Sequence, residues 1–345
     1  MLIFNNMEKE NTFADYQLPP LDLLDEYIPE DKVSEDKIAN GRRAVVRMRS
    51  VLSDDAFRNS GAELPVAIGQ TFGNETVVFD LAKAPHLLIA GATKQGKTMA
   101  IHTVVASLLY SKRPEELKFV FLDPKGCEFS AYSRLGGHYL ATLSGENPIV
   151  QTKDQADKTL EALCEEMEAR YSHLSVGRIS NIVEYNKQAS TPQERWPYIV
   201  TIIDEYADLT IPAGREEESR YISREITESI IRLAQKGRAV GIHIILATQR
   251  PSKKVITDSI KATFPTRIAV RTMTRTDSRV ILDSPGAENL AGGGDMIFKI
   301  DTETERIQGS YISPEEINRL TTYVESQSCK KTPYTLQEPD SAPKA

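Results

Sequence analysis

Long hydrophobic runs are missing from this 345-residue chain. No apolar stretch approaches the roughly 20 residues that a transmembrane helix needs. The opening residues, Met1-Leu2-Ile3-Phe4-Asn5-Asn6, lack the charged segment and long apolar core of a secretory signal. A cytoplasmic protein with no direct membrane insertion is therefore expected. Cysteine is scarce: Cys127, Cys164 and Cys329 form no CxxC pair and leave an odd thiol, so buried or spectator thiols and no zinc site are expected. The 5 histidines do not cluster, and His86 and His243 lie beside apolar runs, where a structural role is expected. Positive charge is not in excess either. The net charge is −7, so the chain does not bind nucleic acid over its whole surface, although a small basic loop remains compatible. With 40% hydrophobic and 26% charged residues, the composition is that of an ordinary globular protein.

What is present is a phosphate-binding pattern. Gly91-Ala92-Thr93-Lys94-Gln95-Gly96-Lys97-Thr98 reads G-x-x-x-x-G-K-T. The apolar run His86–Ala90 precedes it and suits a buried strand. Residues 99–110 follow, with Ile101, Val104, Val105, Leu108 and Leu109 at helical spacing. Between a strand end and a helix start, loop N–H groups and the helix N-terminus can face a polyphosphate. The pattern makes Gly91 to Met99 the nucleotide-binding segment, Lys97 the ligand of the β- and γ-phosphates, and Thr98 a ligand of Mg²⁺.

The rest of the chain alternates strands with helices. Strands are expected at 64–69 and 76–80 around a turn at Phe72-Gly73-Asn74, then at 117–122, 198–203, 241–247, 265–270 and 296–300. Amphipathic helices are expected over 154–174 and 216–239, and a last one over 314–326. This order predicts an α/β fold: a mostly parallel central sheet flanked by helices, with a short N-terminal extension. Residues 1–59 form that arm and entry segment, 60–327 the main domain, and 328–345 a disordered tail. Ligands of such sheets bind at the carboxyl ends of strands. The P-loop, Asp123, Asp204 and Gln249 all fall at such ends.

Asp204-Glu205 after an apolar strand suits a Walker B pair. Its first carboxylate holds Mg²⁺ and its second orients or deprotonates the attacking water. Asp208, one helical turn on, either supports the site or lies on the surface. Gln249, after the next strand, suits a sensor of the γ-phosphate. Arg238, at a helix end, either answers the helix dipole or acts as a finger on a neighbouring subunit's nucleotide. Residues 250–279 are locally basic, with Arg250, Lys253, Lys254, Lys261, Arg267, Arg271, Arg275 and Arg279 against Asp258 and Asp277. Only Phe264 is aromatic there, so contact with backbone phosphates, not base stacking, is the functional reading; a solvated charged face is the other. Gly292-Gly293-Gly294-Asp295 is a tight turn with no helix after it, which points to backbone geometry.

Several of these stretches together resemble the FtsK/SpoIIIE family of DNA translocases. They are 81–93 leading into the P-loop, Asp123-Pro124-Lys125, Asp204-Glu205-Tyr206-Ala207-Asp208-Leu209, 232–239, 241–251, Pro265-Thr266-Arg267-Ile268-Ala269, Asp277-Ser278-Arg279 and Gly294-Asp295-Met296. The resemblance runs from about 50 to 312. It implies a RecA-like P-loop motor that works as a homo-oligomer, a hexameric ring, and threads double-stranded DNA with ATP and Mg²⁺, as in chromosome partition. It implies the roles given above for Lys97, Thr98, Asp204, Glu205 and Gln249, favours the finger role for Arg238, and suggests that Arg250, Lys261, Arg275 and Arg279 touch DNA. A conjugation- or secretion-type ATPase of the same superfamily, moving a protein or protein–DNA substrate, is the alternative. The chain departs from the family at Lys94, where a small residue is usual. The family's membrane region and γ winged helix have no counterpart here, and its α subdomain is reduced to a remnant.

Overall fold

A computed structural model describes residues 13, 15–26, 45–212, 214, 216–328 and 333–338. Much of the arm expected over 1–59, together with Cys329, lies outside the described residues. Among the described residues there are thirteen strands, numbered in chain order. They are β1 Val46–Arg47, β2 Pro65–Thr71, β3 Thr76–Asp80, β4 His86–Ala90, β5 Leu117–Leu122, β6 Ala141–Leu143, β7 Ile149–Val150, β8 Tyr198–Ile203, β9 Ile242–Thr248, β10 Thr266–Val270, β11 Asp295–Ile300, β12 Glu303–Tyr311 and β13 Tyr334–Leu336.

One sheet runs in the order β3-β2-β12-β11-β10-β4-β9-β8-β5-β7. From β10 to β7 every pairing is parallel. From β10 outward to β3 every pairing is antiparallel. The expected parallel sheet is thus its central part, and hairpins extend it. β12 was not legible as a strand because Glu303-Thr304-Glu305-Arg306 is polar and exposed; its partner β11, not its composition, recruits it.

The parallel strands are apolar throughout because both of their faces are covered. On β4, Leu87 and Ile89 join one buried cluster with the helix Lys97–Ser111, while Leu88 and Ala90 join a second. The second cluster receives Leu160, Leu163 and Met167 of the helix Lys153–Gly177, and Ile226, Ile230 and Leu233 of the helix Glu217–Lys236. Thr152 caps the first of these two helices by accepting from the Gln155 N–H.

Two boundaries differ from expectation. Residue 59 does not end a separate body, because β1 pairs with β12 and Val51, Leu52 and Phe57 share the cluster of the P-loop helix. The described part of the arm also docks. Phe13, Tyr16 and Leu24 are buried, and the Arg113 guanidinium donates to the carbonyls of Tyr16 and Phe13. The tail expected to be disordered from 328 includes β13, which pairs in parallel with β6. Its Tyr334 hydroxyl donates to Glu166, and Leu336 is buried. The edge it joins lies far away in sequence, so local composition carried no sign of it.

Candidate functional site

The chain leaves β4 at Gly91, where φ is 153° and a Cβ would lie 2.4 Å from Val270 Cγ2 and 2.7 Å from its carbonyl oxygen. Only glycine lets the loop pass the end of β10 so closely. The loop then turns through Lys94 (φ 62°) and Gly96 (φ 113°) into the helix Lys97–Ser111. At Gly96 a Cβ would stand 3.0 Å from the Gly294 backbone, and the Gly294 N–H donates to the Gln95 carbonyl at 3.3 Å. The Gly292–Gly294 turn therefore has the expected geometric role, and its target is the P-loop itself. A second brace runs from the Ala92 N–H to the Arg271 carbonyl at 2.9 Å. The loop encloses a cleft of about 200 Å³ lined by Ala92, Thr93, Lys94, Gly96, Lys97, Thr98, Met99 and Gln249.

Lys97, Asp204, Glu205 and Gln249 meet at or beside this cleft. Lys97 and Asp204 form an ion pair, both side chains almost fully buried. Burial foremost raises the Asp204 pKa, and Lys97 opposes that rise. Glu205 follows in the left-handed region, φ 46°, with 1% of its surface exposed. Its Oε1 accepts from the Thr248 hydroxyl at 3.0 Å and the Gln249 N–H at 3.2 Å. Its Oε2 lies 3.2 Å from Lys125 Nζ. The Thr93 hydroxyl donates to Gln249 Oε1 at 2.7 Å, which ties the P-loop to the end of β9.

Sequence reasoning missed two participants, Lys125 and Glu128, on the loop that Asp123 shapes. Asp123 is fully buried and accepts from the N–H groups of Lys125, Gly126, Glu128 and Phe129, so it shapes the loop after β5. That loop carries Lys125 and Glu128 to the site. Burial first, then the Asp204 carboxylate, raises the Glu128 pKa, while the Lys97 ammonium and the Thr98 hydroxyl act to lower it. Burial acts to depress the Lys125 ammonium, but bonding to Glu205 and the charges of Glu205, Asp208 and Asp204 hold it above its usual value. The motif Asp123-Pro124-Lys125 was the available signal, read for its Asp alone. Asp208, left open above, pairs with Lys125 at 3.7 Å and with Arg250 at 3.5 Å.

Thr98, Asp204 and Glu128 present one hydroxyl and two carboxylates at a helix N-terminus. Among the described residues no group of three or more His, Cys, Asp or Glu side chains can hold a metal ion alone. A hydroxyl with one or two carboxylates suits Mg²⁺, which takes its other ligands from phosphate and water.

Arg238 is exposed on the turn Gly237–Val240, before the first residue of β9 and near His86 at the start of β4. The P-loop leaves the opposite end of β4, roughly 16 Å of extended chain away. Arg238 does not line the cleft of its own chain. The basic segment splits. Lys261 binds Asp283 at 2.9 Å and Asp258 at 3.3 Å, and Arg267 is buried against Asp283 and three backbone carbonyls. Lys261, expected to touch DNA, thus has its charge matched within the chain. Arg271, Arg275 and Arg279 are exposed beside the P-loop end of β10. His86 and His243 are structural as expected: the Ile244 N–H donates to His86 Nδ1, and His243 Nδ1 donates to the Pro85 carbonyl.

The FtsK/SpoIIIE family profile matches residues 47–253. A DNA translocase FtsK of Chlorobaculum tepidum is 46% identical over 301 residues, covering 86% of this chain and 36% of that protein. The DNA translocase SftA of Bacillus subtilis is 40% identical over 295 residues, covering 84% of this chain and 29% of that protein. The chain thus spans about a third of the length of these relatives. Among solved structures, the pCW3 conjugation coupling protein TcpA with ATPγS superposes with a TM-score of 0.70 at 28% identity, over 83% of this chain and 75% of that one. The cytoplasmic domain of the Thermomonospora curvata Type VII secretion ATPase EccC gives 0.69 at 23% identity, over 86% and 36%, a likeness of fold alone. The fold is that of RecA-like P-loop ATPases. With the profile matching more than half of its length, the chain belongs to the FtsK/SpoIIIE family.

Proposed function

We propose that the chain is an ATP-hydrolysing motor that translocates double-stranded DNA as a ring-shaped homo-oligomer, a hexamer by family likeness. The observation that carries the hydrolysis reading is the buried Lys97–Asp204 pair with Glu205 beside it, at the mouth of the P-loop cleft. Residues 91–99 bind the nucleotide, and Lys97 moves from Asp204 to the β- and γ-phosphates. Thr98 and Asp204 hold Mg²⁺, whose charge neutralises the phosphate oxygens when bound. Glu205 takes a proton from water as that water attacks the γ-phosphorus and the bond to the β-phosphate oxygen breaks. Gln249 contacts the γ-phosphate or the attacking water.

Arg238 serves the nucleotide of a neighbouring subunit, because its own cleft opens at the other end of β4. Arg250, Arg275 and Arg279 contact DNA phosphates, which gives little sequence preference. The names of the curated relatives support DNA as the substrate. The likeness to a conjugation coupling protein supports the second reading, a motor acting on a protein–DNA substrate. Among the described residues no helix is long and apolar enough to cross a membrane. A cytoplasmic location without direct insertion agrees with that.

The deciding measurement is the ATPase rate with and without duplex DNA at two salt concentrations. Stimulation at low salt that fades at high salt is expected. No stimulation at low salt sinks the duplex-translocation reading and favours the second. For Arg238, rings mixed from Arg238→Ala and Glu205→Gln subunits should recover activity that neither variant has alone. Mixed rings that assemble and stay inactive rule out a finger acting between subunits.

A further inference from the structure

Both oxygens of Glu205 are already taken. Thr248 and Gln249 occupy Oε1, and Lys125 occupies Oε2. With three donors on its two oxygens, this carboxylate faces its partners and not a water in the cleft. The Lys125 side chain remains 43% exposed, so it is free to move in a way that Glu205 is not. Its second partner is Asp208 Oδ2 at 3.7 Å. The other oxygen of Asp208 lies 3.5 Å from an Arg250 nitrogen, and that arginine is 59% exposed. A line of alternating charges therefore runs from the buried Glu205 through Lys125 and Asp208 to a surface arginine.

We propose that Lys125 is a positioning residue that withholds Glu205 from the attacking water, and that Arg250, acting through Asp208, sets how firmly it does so. The inference rests on the reading of Glu205 as the hydrolytic base. A phosphate that draws Arg250 off Asp208 leaves Asp208 without its cation. The uncovered carboxylate attracts Lys125, and Glu205 loses its partner on Oε2. Duplex engagement is thereby linked to hydrolysis within one subunit. No bond is made or broken in this step.

Four variants test it: Lys125→Ala, Lys125→Arg, Asp208→Asn and Arg250→Ala. Each is assayed for ATPase rate with and without duplex, and for duplex affinity by fluorescence anisotropy. Lys125→Ala should raise the DNA-free rate by about fivefold or more and bring the stimulation ratio toward one, with duplex affinity unchanged. Lys125→Arg should keep the wild-type ratio. Asp208→Asn should leave Lys125 on Glu205, so the DNA-free rate stays low and stimulation is lost. Arg250→Ala should raise the DNA-free rate.

A Lys125→Ala protein that is slower without DNA, or that keeps the wild-type ratio, overturns the proposal. An Arg250→Ala protein with a wild-type DNA-free rate removes Arg250 from it. An inactive wild type defeats the hydrolysis reading instead, and melting curves then test the ion pair alone. Lys125→Ala should lower the melting midpoint by about 2 °C or more, because Glu205 keeps its buried charge without a counterion. The same change in a Glu205→Gln background should cost little. Equal shifts in both backgrounds overturn the pair.

Discussion

The P-loop end of the sheet and the basic segment 250–279 both hold lysines and arginines, yet they use charge in opposite ways. Around the P-loop, Lys97 and Glu205 are buried, and each faces a partner set by neighbouring strand ends. In the basic segment, Lys261 and Arg267 are matched internally by Asp283, whereas Arg271, Arg275 and Arg279 stay in solvent. A count of basic residues treats these groups alike. Burial and pairing separate charges that act on a ligand, charges that hold the fold, and charges left open for a partner.

The largest expected effect lies at the P-loop. Lys97→Ala should cut ATP turnover by roughly 10²–10³-fold or more while the protein still unfolds in one cooperative transition. Wild-type turnover by that variant would falsify the assignment of the cleft.

Next comes acid. Burial lowers the pKa of His86 to about 3, and those of His102 and His243 to about 4. Their folded values lie below the unfolded value of about 6.5, so the unfolded chain takes up protons first. Stability is retained above pH 6.5 and falls as the pH drops from there toward 4, by about 2 kcal/mol for each imidazole at pH 5, or roughly 6 kcal/mol for the three together. Urea midpoints measured between pH 7.5 and 5 check this. A flat profile would mean that these imidazoles are not held neutral.

A smaller effect should separate the two kinds of basic residue. Asp283→Asn removes the shared counterion of Lys261, Arg267 and Lys299 and should cost about 1 kcal/mol of stability. The Arg267 guanidinium keeps its backbone acceptors, which limits the loss. Duplex affinity should not change. Replacing both Arg275 and Arg279 with alanine should do the reverse: stability holds, duplex affinity falls, and its salt slope drops by about 1 per arginine. A loss of stability without a change in salt slope would erase the distinction.

The legible features were those carried by contiguous residues. The strand before Gly91 was legible because a strand buried on both faces is apolar at every position, and the helix after it because its apolar residues recur at helical spacing. Asp204-Glu205 and Gln249 were legible because each ends such a strand. β12 was not, because its first residues are polar and exposed, and β13 was not, because its partner β6 lies far back in the chain. Lys125 and Glu128 escaped notice because a lysine and a glutamate in a polar loop carry no sign of their destination. Asp123 folds that loop toward Asp204 through four N–H bonds that no spacing rule encodes.

The sequence alone thus determined that a phosphate cradle sits at a strand end with a carboxylate pair two crossovers later. Both follow from short-range steric and hydrophobic patterns. Only the tertiary structure decided that Glu205 rests against Lys125, that Lys261 is paired with Asp283, and that Arg238 lies at the far end of β4 from its own cleft. Those outcomes depend on which strand ends become neighbours, and that is set by packing across the whole sheet.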